Sequence, residues 1–365
     1  MKDVQRTDRA AVERAHAETY LLLTLASFAG SVIITRLFLE LAGYPQLGNS
    51  VLHIAHALWG GLALLIAVIL PLILANRWAR NLSAVLSGVG AGLFVDEVGK
   101  FITQQNDYFF PPAAPVIYAF FLLMVLLLLV VRRTDNPEPR AEMYRALSNL
   151  GELLDNNLDT RELDTLMVRL EAAQQSDQPH VAGLAMTLRT YLQETDIPLL
   201  PAKPSLWKRW EAAVERWGRR FGHRPHRVAI LVAMAVLGLG MVVAIVLPLL
   251  LIVAPDTAGY RLLTWLVTQN DVQTAGSRFW FYLRMAMEGI VGLIALASIV
   301  FLAKGKERQG IYAASLALLL SLTGVILLSF YLDQFSATVT ALVQFGVLLL
   351  VQAYGRWYLE PEQTS

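Results

Sequence analysis

Runs of about twenty apolar residues recur along this chain and constrain its fold more than any other feature. Tyr20–Leu41, Val51–Ala75 and Ala114–Val131 each approach the roughly 20 residues with which an α-helix crosses a hydrocarbon core. Overall 56% of the residues are hydrophobic and 16% charged, where soluble domains carry about a quarter charged residues. The apolar excess sits in these runs, and lipid leaves every backbone polar group to be satisfied inside the segment, which a helix does. The expected fold is therefore an all-α, polytopic integral membrane protein. Eight transmembrane helices are expected at about 20–42, 52–75, 82–104, 113–132, 228–253, 279–303, 310–331 and 336–356.

The connections between these runs differ in charge. Arg77 and Arg80, Arg132 and Arg133, Arg224 and Arg227, and Lys304, Lys306 and Arg308 mark one side. Of the alternate connections, 43–50, 104–112 and 333–336 contain no Lys or Arg, and the loop after span five has only Arg261 and Arg278. By the positive-inside rule both termini are cytoplasmic. Residues 1–19 form a charged, amphipathic cytoplasmic segment unlike a signal peptide, and 357–365 a cytoplasmic tail. A net charge of +1 offers nothing to nucleic acid, and the absence of cysteine excludes disulfides and thiolate sites.

Spans one to four (20–132) and five to eight (228–356) read as a 4+4 tandem repeat. HALWGGLALLIAVIL in span two and MEGIVGLIALASIV in span six share a glycine-spaced register, and spans three and seven end at Asp96-Glu97 and Asp333-Gln334. Between the halves, residues 133–227 turn soluble. Tyr144, Leu147, Leu150, Leu153 and Leu154, then Leu163, Leu166, Met167 and Leu170, recur at helical spacing and predict a small cytoplasmic bundle of two or three helices. Within 205–222, Trp207, Trp210, Trp217 and Phe221 alternate with five Lys or Arg, the pattern of a helix lying in the inner interface.

Ionisable residues inside spans are costly and mark function by default. Here they gather in the outer half of the bilayer, and span two is the span expected to supply histidines. Arg36 and Glu40 close span one, His53 and His56 open span two, and Asp96, Glu97 and Lys100 close span three. Arg284 and Glu288 open span six and Asp333 closes span seven. The pairs Arg36/Glu40, Asp96/Lys100 and Arg284/Glu288 are four apart and can each pair along one helix face. Pairing leaves two carboxylates beside two imidazoles on one helix face, a composition that suits a divalent cation such as zinc. The candidate metal ligands are His53, His56, Asp96 and Asp333. Glu97 and Asp96 are the candidate catalytic acids or bases, and Arg36, Glu40, Lys100, Arg284 and Glu288 the candidate substrate-binding residues.

The segments HIAHALWGG (53–61) and GLFVDEVGKF (92–101) resemble uncharacterised bacterial multi-pass membrane proteins with a His-rich span start followed by Trp-Gly and an Asp-Glu pair ending the next span. The resemblance covers spans one to four. It implies a bacterial inner-membrane protein with an outer-leaflet polar cluster and brings no activity. Three functions fit: an outer-leaflet site, metal-dependent or not, that acts on or binds a lipid or amphiphile; a secondary transporter or channel; and a sensor or scaffold signalling through the cytoplasmic helices.

Overall fold

Helix follows helix along the chain. The computed structural model describes residues 11–42, 55–104, 110–133, 138–201, 222–253, 275–333 and 337–359, and no strand occurs among them. The helices are α1 (Ala17–Leu41), α2 (His56–Ile73), α3 (Arg77–Asp96), a short α4 (Val98–Ile102) and α5 (Ala113–Arg133). Then come α6 (Pro139–Leu154), α7 (Thr160–Gln174), α8 (Pro179–Glu194), α9 (His223–Val253), α10 (Ala275–Ala303), α11 (Glu307–Leu320), α12 (Ile326–Asp333) and α13 (Ala337–Tyr354). A π-helical turn, Ser321–Val325, joins α11 to α12, and a second, Gly355–Leu359, follows α13. Seven helices are long and apolar enough to cross a membrane: α1, α2, α5, α9, α10, the continuous α11–α12, and α13 with its π-turn. The expected third span falls on α3, whose sequence RWARNLSAVLSGVGAGLFVD is too polar to qualify. The expected interfacial helix at 205–222 lies almost wholly outside the described residues.

The chain divides into two compact units: Met1–Val98 with Phe120–Ser205, and Gly99–Ala119 with Leu206–Ser365. In the first, α3 lies between α1 and α2, and its glycines explain why. Gly88 and Gly92, one turn apart, face α1; Gly90, on the opposite side, faces α2. A Cβ on Gly90 would fall 2.7 Å from the Gly60 carbonyl oxygen, and one on Gly92 2.9 Å from the Ser31 Cβ. Such contact lets hydroxyls bridge helices: Thr24 donates to the Ala84 carbonyl (3.0 Å), Ser31 to that of Val89 (3.2 Å) and Ser83 to that of Ala67 (2.6 Å). Small residues on α3 and hydroxyls on α1 and α3 thus make the close helix contacts of this unit.

The three-helix bundle α6–α8 belongs to the same unit. Asp159 and Glu162 form a capping box at the start of α7, which satisfies two otherwise unpaired N–H groups. Glu162 also accepts from Arg77 (2.5 Å), and Asp155 accepts from Asn76 (2.8 Å), so the bundle is tied to the start of α3. Its core is Met143, Ala146, Leu166, Leu170, Ala173, Val181, Ala185 and Leu192. The face of α6 that is buried carries Met143, Ala146 and Leu150; Tyr144, Leu147 and Leu154 are exposed, contrary to the sequence expectation.

In the second unit, α10 packs on both α9 and α11, and α13 on α11. At the π-turn the Ile326 N–H reaches back to the Ser321 carbonyl. In a regular helix it would bond the Leu322 carbonyl. That released carbonyl accepts the Tyr118 hydroxyl at 2.8 Å.

His16 stands at the base of α1 with φ 64°, a left-handed conformation that side chains other than glycine seldom adopt. Burial, then the charges of Arg77 and Arg169, lower its pKa from 6.5 to about 4, opposed by Glu162 and a hydrogen bond with Asn149. Protonation is thus easier in the unfolded chain, so the stability that neutral His16 contributes is complete above about pH 6.5 and is lost as the pH falls toward 4. Melting temperatures between pH 7 and 4 should fall less in His16→Gln than in the wild type. A second expectation concerns the glycines: Gly90→Leu, which forces α2 and α3 apart, should lower the melting temperature of the purified protein by several degrees, at about 1–3 kcal/mol. Gly30→Ala, with nothing within 4 Å of the added carbon, should be neutral or stabilising.

Candidate functional site

Three helix ends of the first unit meet in one layer. Arg36 comes from the last third of α1, His56 and Ala57 from the first turn of α2, and Asp96 and Glu97 from the end of α3. The glycine contacts along α3 bring these ends within hydrogen-bonding reach. Arg36 Nε donates to Asp96 Oδ1 at 2.5 Å, and its Nη2 to the Asp96 carbonyl at 3.1 Å. His56 Nε2 lies 3.0 Å from Asp96 Oδ2, and its Nδ1 lies 3.5 Å from Glu97 Oε1. The other Glu97 oxygen accepts the Ala57 N–H at 3.1 Å.

That last bond has a local cause. The N-cap of α2 is Ala55, which has no side-chain acceptor, so the first N–H groups of the helix need a partner from elsewhere. Glu97 supplies one from α3, and its charge sits at the positive end of the α2 dipole.

Both carboxylates are fully buried, with Asp96 and Glu97 side chains 0% and 1% exposed. Arg36 is 11% and His56 22% exposed, so the imidazole is the member most open to the surroundings. A neutral imidazole donates from one nitrogen and an imidazolium from both. With His56 protonated the four side chains sum to zero charge; with it neutral they sum to −1.

Of the residues expected at the site, Arg36, His56, Asp96 and Glu97 come together. Arg36 pairs across helices with Asp96; the side chain of Glu40, its expected partner, lies outside the described residues, as do His53 and the Asp333 side chain. Lys100 lies on α4, after α3 has ended, so its i,i+4 spacing from Asp96 is not a spacing along one helix. Arg284 and Glu288 form the expected pair along α10 at 2.9 Å, but in the second unit. Among the described residues no group of three or more His, Asp or Glu is arranged to hold a metal ion. A cleft of about 640 Å³ between residues 12–15, 75–80 and α6 lies at the opposite end of α3 from the cluster.

A second polar cluster escapes the sequence reading. Helix α9 begins at His223, ahead of the expected 228, so His223 and His226 belong to a membrane-competent helix. His223 Nε2 lies 2.7 Å from the Tyr354 hydroxyl and 3.2 Å from Glu307, which also pairs with Arg227 at 3.3 Å. Together they join the ends of α9, α11 and α13. His223, Arg227 and Glu307 sit in or beside the basic connections, where a hydropathy reading assigns polar groups to water, and Tyr354 sits near the end of the expected eighth span; no local signal marks them as partners.

The chain matches no protein-family model, no curated protein and no solved structure. What the first cluster does has to be argued from its own geometry.

That geometry makes Asp96 the keystone. Asp96→Ala leaves Arg36 buried without its partner and should cost about 3–5 kcal/mol, read as a large fall in melting temperature. Glu97→Gln should be milder, since its amide oxygen can still accept the Ala57 N–H.

Proposed function

We propose that this is a multi-pass inner-membrane protein whose first unit carries an acid–base site for a lipid or amphiphile headgroup at its outer end. The observation that carries the reading is His56 itself, the most exposed member of the cluster at 22%, set against two buried carboxylates. Asp96 holds Nε2 at 3.0 Å, and Glu97 Oε1 lies 3.5 Å from Nδ1. A carboxylate on one imidazole nitrogen orients the ring and sets its tautomer for proton exchange with a bound group. In this reading Asp96 and Arg36 position, His56 exchanges the proton, and Glu97 holds the end of α2 beside it.

The same gap favours a second form of the site. Two ligands at about 2.0 Å from a tetrahedral zinc stand about 3.3 Å apart, close to the Nδ1–Glu97 separation. His56 and Glu97 would then be ligands, and Asp96 would orient the histidine from behind, as carboxylates commonly do at zinc. The transporter and sensor readings draw no comparable support from this cluster.

The topology that goes with the proposal has α3 crossing as well. Its 20 residues span about 30 Å, and α1 and α2 shield its polar faces. Eight crossings put the basic connections in the cytoplasm and the His56 cluster at the outer leaflet.

The test is retention of short-chain phospholipid by the purified protein in detergent, alongside metal analysis. Wild type should retain lipid at least ten-fold more tightly than His56→Ala. Equal retention by the two would defeat the proposal. Stoichiometric zinc, lost in His56→Ala, selects the metal form.

A further inference from the structure

Serine and threonine hydroxyls within a membrane helix ordinarily bond back to a carbonyl of the preceding turn. In the second unit Ser298, Thr323 and Ser329 do so, donating to the carbonyls of Ala295 (2.6 Å), Leu319 (2.7 Å) and Val325 (2.9 Å). Ser321 does not. It is 1% exposed, and its hydroxyl finds no hydrogen-bond partner among the described residues. Gln344 on α13, 2% exposed, has the same deficit at its side-chain carbonyl oxygen. Each is an expense in hydrocarbon, where no water is at hand to make good the loss.

Both residues sit among side chains of one core cluster, and α13 packs against the π-turn. Ser321 is flanked on its helix face by Ala317, Leu318 and Val325, and Gln344 by Ala341, Leu348 and Val351, all of which pack in one core cluster. Ser321 lies near the middle of the span Glu307–Leu332, and Gln344 lies well inside Ala337–Leu359. Ser321 also opens the π-turn, a wide turn that proteins retain mostly at functional positions. The turn has redirected its carbonyls: that of Leu322 is taken by Tyr118, and Tyr118 stacks on Phe330 at 4.8 Å.

We propose that the second unit binds a small monovalent cation, of the sodium class, between the π-turn and Gln344. The unmatched atoms are neutral oxygens with lone pairs. Among the described residues the polar side chains buried in α10 to α13 are Ser298, Ser321, Ser329 and Gln344, all neutral. Divalent ions are held through carboxylates, so neutral oxygens deep in a span suit a single positive charge. Unwound turns inside spans coordinate such ions in ion-coupled membrane proteins. The proposal is independent of the His56 site and adds an ion-linked function to the chain.

The experiment uses the full-length protein in lipid nanodiscs, comparing sodium, potassium and N-methylglucamine chlorides at equal ionic strength, together with binding of radioactive sodium. Wild type should melt several degrees higher in one of the two alkali salts than in N-methylglucamine, with saturable binding of that cation. Ser321→Ala, which deletes an oxygen that bonds nothing else, should weaken binding at least ten-fold, and adding Gln344→Leu should abolish it. His56→Ala should leave both readouts unchanged. Identical melting in all three salts with no saturable binding by folded wild type would overturn the proposal, as would binding that survives Ser321→Ala and Gln344→Leu undiminished. If the double variant fails to fold, the wild-type comparison and Ser321→Ala alone decide.

Discussion

With no water in a hydrocarbon core, a polar group released from its own helix has to be met by another part of the chain, and both units are organised around that constraint. In the first unit the start of α2 lacks a capping side chain, and Glu97 of α3 supplies the acceptor. In the second, the π-turn frees the Leu322 carbonyl and Tyr118 supplies the donor. Each solution needs helices close enough for a short side chain to reach across. Glycines at 60, 88, 90 and 92 provide that closeness in the first unit.

The buried acids follow from the same requirement. Two adjacent carboxylates without solvent access are costly, and they persist because each has charged or N–H donors on two sides. Arg36 and Ala57 do the structural part of that work from deep positions. His56, 22% exposed, is the member of the cluster most open to its surroundings.

Much of this was legible in sequence. The apolar runs located seven membrane helices, and the rule that buried charge is functional singled out Arg36, His56, Asp96 and Glu97. The pairing was legible only in part. Arg284 and Glu288 meet at the expected spacing of four, whereas Arg36 also meets Asp96 from another helix, and α3 ends before Lys100. The His223–Tyr354–Glu307 cluster was missed because hydropathy assigns a basic connection to water. The π-turn was missed because SLTGV has nothing in its composition to set it apart from ordinary helix. On α6 the spacing caught Leu150 and Leu153, which pack on the bundle core, but also took in the exposed Tyr144, Leu147 and Leu154 and passed over Met143 and Ala146.

The sequence alone determined that the chain is helical and enters a membrane, because both follow from local quantities: run length, charge and the need to satisfy the backbone within each segment. It also determined which residues are too polar to lie in a span without cause. Only the tertiary structure decided how those residues combine, since partners 40 and 60 positions apart meet through helix packing. It likewise decided that α3, expected as the third span but less apolar than the other seven, is the helix that lies between α1 and α2. Its glycines are turned toward those neighbours and its Asp96 toward Arg36 and His56, and a count along the chain cannot tell such groups from groups turned toward water.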